Sequence, residues 1–377
     1  MTAERTLVRK EGLMNLQNLL SRSTRVASGV AIAALTAGLT GLAACSSEPQ
    51  ATYPGAGQVP VNPYTAQKGG HRHWIVPTQE TAQQWRAWKA NMRTRNAPAA
   101  AANTVLFGGG IDGIGVTSGV PRVYLVFWGS QWSGGGDPND AATYLQNLFR
   151  GIGTGGEQWS GTTTQYCDGP GVPKGARTCD AATNPHVGYP NAGALAGVWV
   201  DTRAAAPGNA TTAQIAREAV DAAAHFGNGS PASNRYVQYF IVSPSGTHPD
   251  GFNTSGANFC GWHDYTPTAA GDLAYANMPY VTDAGGACGA NFVNHGSAGV
   301  LDGFSLVAGH EYAETLTDQN PAGGWTAASG AEVGDECAWI SSGQGSSANV
   351  TLSTGSFAMQ SIWSNDTNEC DISHRIL

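Results

Sequence analysis

Three short runs of β-branched and aromatic residues punctuate the middle of the chain: RVYLVFW at 122–128, AGVWV at 196–200 and RYVQYFIV at 235–242. Each is bounded by Gly, Pro or small polar residues, as buried strands are. Between the runs, apolar positions recur at helical spacing. Ala142, Leu145 and Leu148 line one face of a helix predicted over 139–151, started by Asp137-Pro138-Asn139. Thr211 opens a second helix that runs to about Phe226, with Ile215, Ala219, Ala222 and Ala223 as its apolar stripe. A third is predicted over about 303–317, and an N-terminal one over 78–95 with Thr78 or Thr81 as cap. The segments 152–194 and 243–302 are rich in Gly, Asn and Pro and read as irregular, apart from a strand at 279–282. The tail, 332–377, holds short strand-like pieces. Alternating strands and helices followed by irregular chain and one more helix predict an α+β domain with an α/β-like core and a mixed sheet, without internal repeats.

The N-terminus follows a different pattern. Arg5, Arg9, Lys10, Arg22 and Arg25 precede an uncharged stretch, VASGVAIAALTAGLTGLAA, at 26–44. A basic region, an apolar region and a small-residue end are the marks of a secretory signal. Its last residues, Leu42-Ala43-Ala44-Cys45, resemble the lipobox of bacterial lipoproteins, which implies a lipid on Cys45. Met14 is an alternative start that would shorten the basic region. The expected plan is a signal at 1–45, a Pro/Gly-rich tether at 46–77, a helix and linker at 78–103, and one globular domain over 104–377. The protein is then expected outside the cytoplasm, touching a membrane only through its lipid.

Composition narrows the function classes. Charged residues make up 12% of the chain and the net charge is −8. Loss of the signal, with five basic and two acidic residues, takes the charge to −11. An acidic chain without a basic run speaks against nucleic acid as a partner. Besides Cys45 there are six cysteines, an even number that suits disulfides in an oxidising compartment. Of the fifteen possible pairings, sequence neighbours are expected: Cys167–Cys179, Cys260–Cys288 and Cys337–Cys370. None sits in a zinc-finger spacing.

The candidate chemistry lies in the third helix, in the string GHEYAE at 309–314. His310 and Glu314 are four apart and so share a helix face, with Glu311 at its edge. The arrangement resembles the zincin motif H-E-x-x-H with Glu314 in place of the second histidine. In that motif the first and last positions bind zinc and the intervening Glu is the general base toward a water that the metal activates. A carboxylate is a legitimate zinc ligand, but it makes the site harder, so Zn²⁺ is expected with Ca²⁺ or Mn²⁺ as alternatives. The third ligand is expected from the string GAEVGDEC at 330–337. Glu332 lies 18 positions after Glu314, near the interval at which thermolysin-like and aminopeptidase zincins supply a glutamate, and Asp335 lies 21 after it. One is expected to bind the metal and the other to support His310.

Several strings, in order, resemble secreted bacterial proteins distantly similar to the plant phosphate-induced (EXORDIUM) family. They are VYLVFWGSQW, the stretch YFIVSPSGTHPDGFNTSGANFCGWHDYT, the segment GHEYAETLTDQNPAGGWTAASGAEVGDECAW and the terminal SIWSNDTNEC, spanning about 120–372. The resemblance implies an extracellular setting and one fold across that span, and leaves the catalytic question to the residues.

His263, after Cys260-Gly261-Trp262, is a candidate for the same cleft, steadying a developing oxyanion. His295 is a further candidate ligand, His248 with Asp250 reads as a turn, and Asp318 could cap the helix or bind calcium. His71, His73 and His374 carry no expected role. Ser243-Pro244-Ser245-Gly246 follows a strand but lacks the nucleophile-elbow form. Trp85, Trp88, Trp128, Trp132, Trp262, Trp325, Trp339 and Trp363 could line a sugar groove, or fill the core. Two functions are expected to compete. The first is a lipid-anchored zinc peptidase acting on a peptide or protein, with Glu311 as base. The second is a non-enzymatic envelope protein that binds polysaccharide or a protein partner, with a structural Ca²⁺.

Overall fold

The structure, a computed structural model, describes residues 66–68, 71–96 and 104–377. Cys45 and the signal, and the tether as far as residue 65, lie outside the described residues. In chain order the elements are β1 (Ala66–Lys68), β2 (His71–Pro77), α1 (Gln79–Asn96), β3 (Leu106–Phe107), β4 (Arg122–Trp128), α2 (Ala141–Gly151) and β5 (Leu195–Asp201). There follow α3 (Thr212–His225), α4 (Pro231–Asn234), β6 (Val237–Val242), β7 (Phe259–Thr268), β8 (Gly271–Met278) and α5 (Asp302–Thr317). The chain closes with β9 (Trp325–Thr326), β10 (Ala348–Leu352), β11 (Gly355–Met359), β12 (Ile362–Ser364) and β13 (Glu369–Asp371).

Seven strands form one sheet in the order β1-β2-β7-β8-β6-β4-β5. β5, β4, β6 and β8 run parallel, while β7 and β2 join antiparallel. The sheet is therefore mixed, as expected for this α+β chain. Its two faces are covered from opposite sides. Tyr239 and Phe240 are neighbours on β6 and point apart. The Tyr239 ring lies 5.5 Å from Tyr124, which packs on Phe226 at the end of α3, whereas Phe240 packs 4.8 Å from Phe149 of α2. Phe149 in turn meets Tyr312, which puts α5 beside α2. With both faces covered, all six residues of β6 are buried, the mark of a central parallel strand.

Local chemistry explains the helix starts. Thr211 and Gln214 form a reciprocal capping box at α3. At α2 the Asp137 carboxylate receives the Ala141 and Ala142 amides at 2.7 and 3.0 Å. All three expected disulfides are present.

Two expectations are corrected. The segment 243–302 is not irregular: it contains the β7–β8 hairpin, whereas 279–282 is loop leading into a short 3₁₀ turn. The sequence FCGWHDYTPT hides its strand because both faces are buried at its start, so no polar–apolar alternation survives. The stretch 71–77, assigned to the tether, is β2, whose Ile75 and Val76 are buried against β7. HRHWIVP opens on His-Arg-His and holds only two β-branched residues, and its partner lies far away in sequence.

The Cys337–Cys370 bridge closes a loop of 33 positions. The chain-entropy relation puts its contribution at about 3–4 kcal/mol. The paired Cys337→Ala and Cys370→Ala variant is expected to lose that much in denaturant unfolding, and a loss under about 1 kcal/mol would show that other contacts hold the loop.

Candidate metal centre

All sixteen residues of α5 are buried, so this helix is a core element with no solvent face. It nevertheless carries His310, Glu311 and Glu314, each with no measurable exposure. Strand β7 brings Gly261 and His263 to the same place, and the loop after β9 brings Glu332 and Asp335. His310 Nε2 lies 2.8 Å from Glu314 Oε1 and 3.5 Å from Asp335 Oδ1. His263 Nε2 lies 3.0 Å from Glu332 Oε2 and 3.8 Å from Glu314 Oε2. Ligand atoms of His310, Glu314 and Asp335 all fall within 4.8 Å of one another, as do those of His263, Glu311 and Glu314. Neighbouring ligands of a tetrahedral ion with bonds of about 2.1 Å stand roughly 3.4 Å apart, so these separations suit a shared cation.

The surrounding chain holds these groups in place. The Asp335 amide donates to Glu314 Oε1 at 3.0 Å, and the Glu332 amide to Asp335 Oδ2 at 2.9 Å. Gly334 permits this approach, because a Cβ there would stand 2.8 Å from Glu314 Oε1 and 3.0 Å from His310 Nδ1. Gly261 does the same on β7, where a Cβ would meet Val307 at 2.8 Å and Glu311 Oε1 at 3.0 Å. Gln360 decides the tautomer of His310. Its Nε2 donates to the Gly334 carbonyl at 2.9 Å, so its Oε1 is left to accept from His310 Nδ1–H at 3.1 Å. In the neutral ring the Nε2 lone pair then faces the carboxylates, the orientation of a metal-ligating histidine.

The electrostatics of this arrangement are incomplete without a cation. Seven buried atoms here have no hydrogen-bond partner: His263 Nδ1, His310 Nε2, both oxygens of Glu311, Glu314 Oε2, Glu332 Oε1 and Asp335 Oδ1. The 2.8 Å contact of His310 Nε2 with Glu314 is therefore close but poorly aligned as a hydrogen bond. Burial pushes the carboxyls of Glu311, Glu332 and Asp335 well above the usual range, and their mutual repulsion adds to this. Burial alone would lower His310, but Glu314 and Asp335 outweigh it and hold the imidazole well above its ordinary value. For His263 burial wins, and its pKa falls to about 4.

Of the two expected third ligands, Asp335 lies with His310 and Glu314, whereas Glu332 pairs with His263. His263 thus belongs to the cluster. His295 does not, being exposed on a turn. His248 holds the Phe252 carbonyl in the expected turn. Ser245 gives its hydroxyl to Asp283, and no histidine is bonded to it or to Ser243 among the described residues. Trp262, Trp325, Trp339 and Trp363 are core residues. Asp318, with its carboxyl raised to about 7 chiefly by burial, takes the Ala322 and Gly324 amides. Gln360 went unnoticed in the sequence, because nothing local distinguishes it from any other tail glutamine.

Comparison with protein-family models, curated proteins and solved structures returns no match. The reading of this centre therefore rests on its geometry.

Above pH 6.5 the shifts of Glu311, Glu332, Asp335 and His310 all act with one sign. Their folded pKa values are raised, so the metal-free fold holds more protons than the unfolded chain, and its stability drains away as pH rises. Glu218, raised to about 8, adds to that slope. Metal binding displaces those protons and tightens with pH. Thermal unfolding is therefore expected to show Tm falling from pH 6.5 to 9 in chelator. The gap between metal-loaded and chelated protein should widen over the same range. A constant gap would remove these groups from metal binding.

Proposed function

We propose that this chain is an extracytoplasmic, lipid-anchored metal-dependent hydrolase of the zinc-peptidase type. Its zincin-like helix supplies two ligands and the base. The observation that carries the reading is Glu311. It is fully buried beside the ligand set, and no side chain hydrogen-bonds to either of its oxygens. A purely structural centre has no use for such a group, whereas a general base must keep its oxygens free for a proton. His310, Glu314 and Asp335 would hold the metal, which would supply Lewis acidity toward a water and a carbonyl. Glu311 would take the proton. His263 stands within reach of the same atoms and steadies developing charge on the substrate. Three disulfides and the EXORDIUM-like resemblance support the setting outside the cytoplasm.

A peptide must reach this site through its cover. Helix α1 lies across the ligand loop. Trp85 packs on Ala331, Arg86 donates to the Ala338 and Trp339 carbonyls, and Lys89 sits 3.7 Å from Glu336. Displacing α1 from this loop would open the way. The burial of every ligand favours a second reading, a closed structural ion in a non-enzymatic envelope protein that binds polysaccharide or a protein partner.

Glu311→Gln separates the two. On the hydrolase reading it keeps the metal and loses about 10²–10⁴-fold in peptide hydrolysis, followed on a quenched-peptide library. Chelation of the native protein should abolish that hydrolysis. If chelation lowers Tm but no hydrolysis exists to lose, the structural reading holds.

A further inference from the structure

Glu314 faces two sets of partners at once. Its Oε1 lies against His310 Nε2 at 2.8 Å, in the group completed by Asp335, while its Oε2 looks toward His263 Nε2 at 3.8 Å. The two sides repeat one pattern. On each, an imidazole nitrogen sits near two carboxylate oxygens, at 2.8 and 3.5 Å for His310 and at 3.0 and 3.8 Å for His263. A single ion on the His310 side leaves the second set uncompensated. Glu314 Oε2 and Glu332 Oε1 would stay buried without a partner. Each such group keeps its desolvation penalty, which is larger if it is charged.

We propose that the cluster is a dinuclear centre. Glu314 bridges two divalent cations, one held by His310 and Asp335, the other by His263 and Glu332. The first of these is the ion of the hydrolase reading above, so the proposal rests on that reading for one site and adds the second. The bridge gives a role to the position of Glu314 on α5 between β7 and the loop after β9. Glu311, whose carboxylate lies within 4.8 Å of the His263 and Glu314 ligand atoms, stands on the second side, where a base would serve a water held there. Two-metal hydrolytic centres clamp the attacking and leaving oxygens in this way. The abundance of carboxylates suits a pair of hard or borderline ions such as Zn²⁺ or Mn²⁺.

The test is metal stoichiometry of the full chain by elemental mass spectrometry after dialysis against Zn²⁺, with the Co²⁺-loaded protein read by electron paramagnetic resonance. Two equivalents per chain are expected, with the Co²⁺ signal diminished by coupling through the shared carboxylate. Glu332→Gln and, separately, His263→Gln should drop the count to one and weaken the second equivalent at least about 100-fold. Glu314→Gln should weaken both. Circular dichroism identifies variants that fold, and Glu332→Gln, close to isosteric, serves if His263→Gln does not. One equivalent in the native chain, unchanged in Glu332→Gln, would overturn the second site and leave the single-metal reading standing. No bound metal in the native chain would overturn both.

Discussion

The structure is organised around an electrostatic constraint: ionisable groups are packed around Glu314 where no water reaches them. Glu311, Glu314, Glu332, Asp335 and Asp318 lie with His263 and His310 in the interior, none of them more than 3% exposed. An uncompensated charge in such a place costs several kcal/mol, against a total stability of about 5–15 kcal/mol for a typical domain. The fold can afford this only if protons or cations neutralise the cluster. Protons answer part of the demand, since burial favours the neutral carboxyls. They leave His310 Nε2 facing carboxylates at poor angles. A divalent cation satisfies the same atoms without requiring those angles.

The framework around the cluster is rigid where the ligands need it. α5 is locked on every side, β7 is an internal strand, and the ligand loop is tied by the Asp335 and Glu332 amides, by Gln360 and by the Cys337–Cys370 bridge. The cover is built differently. Trp85 and Trp88 of α1 stack on each other at 4.8 Å and pack with Ala327 and Ala331 in a small cluster separate from the main core. Local opening draws on elements with few buried apolar contacts. The centre is thus tied more firmly than the part of α1 around Trp85 and Trp88, although Ala82 of the same helix sits in the main core.

How much of this was legible in the sequence depends on the range of each interaction. The i, i+4 spacing of His310 and Glu314 is set by helix geometry, so their shared face could be read directly. Strands β4, β5 and β6 announce themselves by β-branched runs, and α3 by its cap and stripe, because those preferences are local. The disulfides follow from short separations between neighbouring cysteines. The choice between Glu332 and Asp335 was not legible. It turns on the path of a loop that Gly334 lets pass against His310. The contribution of His263 hangs on the pleat of β7, where a one-residue slip would exchange it with Trp262 on the far face of the sheet.

By itself the sequence determined the class of the domain, its cysteine pairs, and the one helix on which three ionisable groups recur at metal-binding spacing. These are short-range matters of backbone geometry, residue preference and loop length. Only the tertiary structure decided that β2 completes the sheet, that β7 and β8 form a hairpin, and that Glu314 stands between two histidines 47 positions apart. The physical reason is that strand register and close packing between distant segments are settled by burial and by the need to neutralise charge, and neither has a signature in any one stretch of the chain.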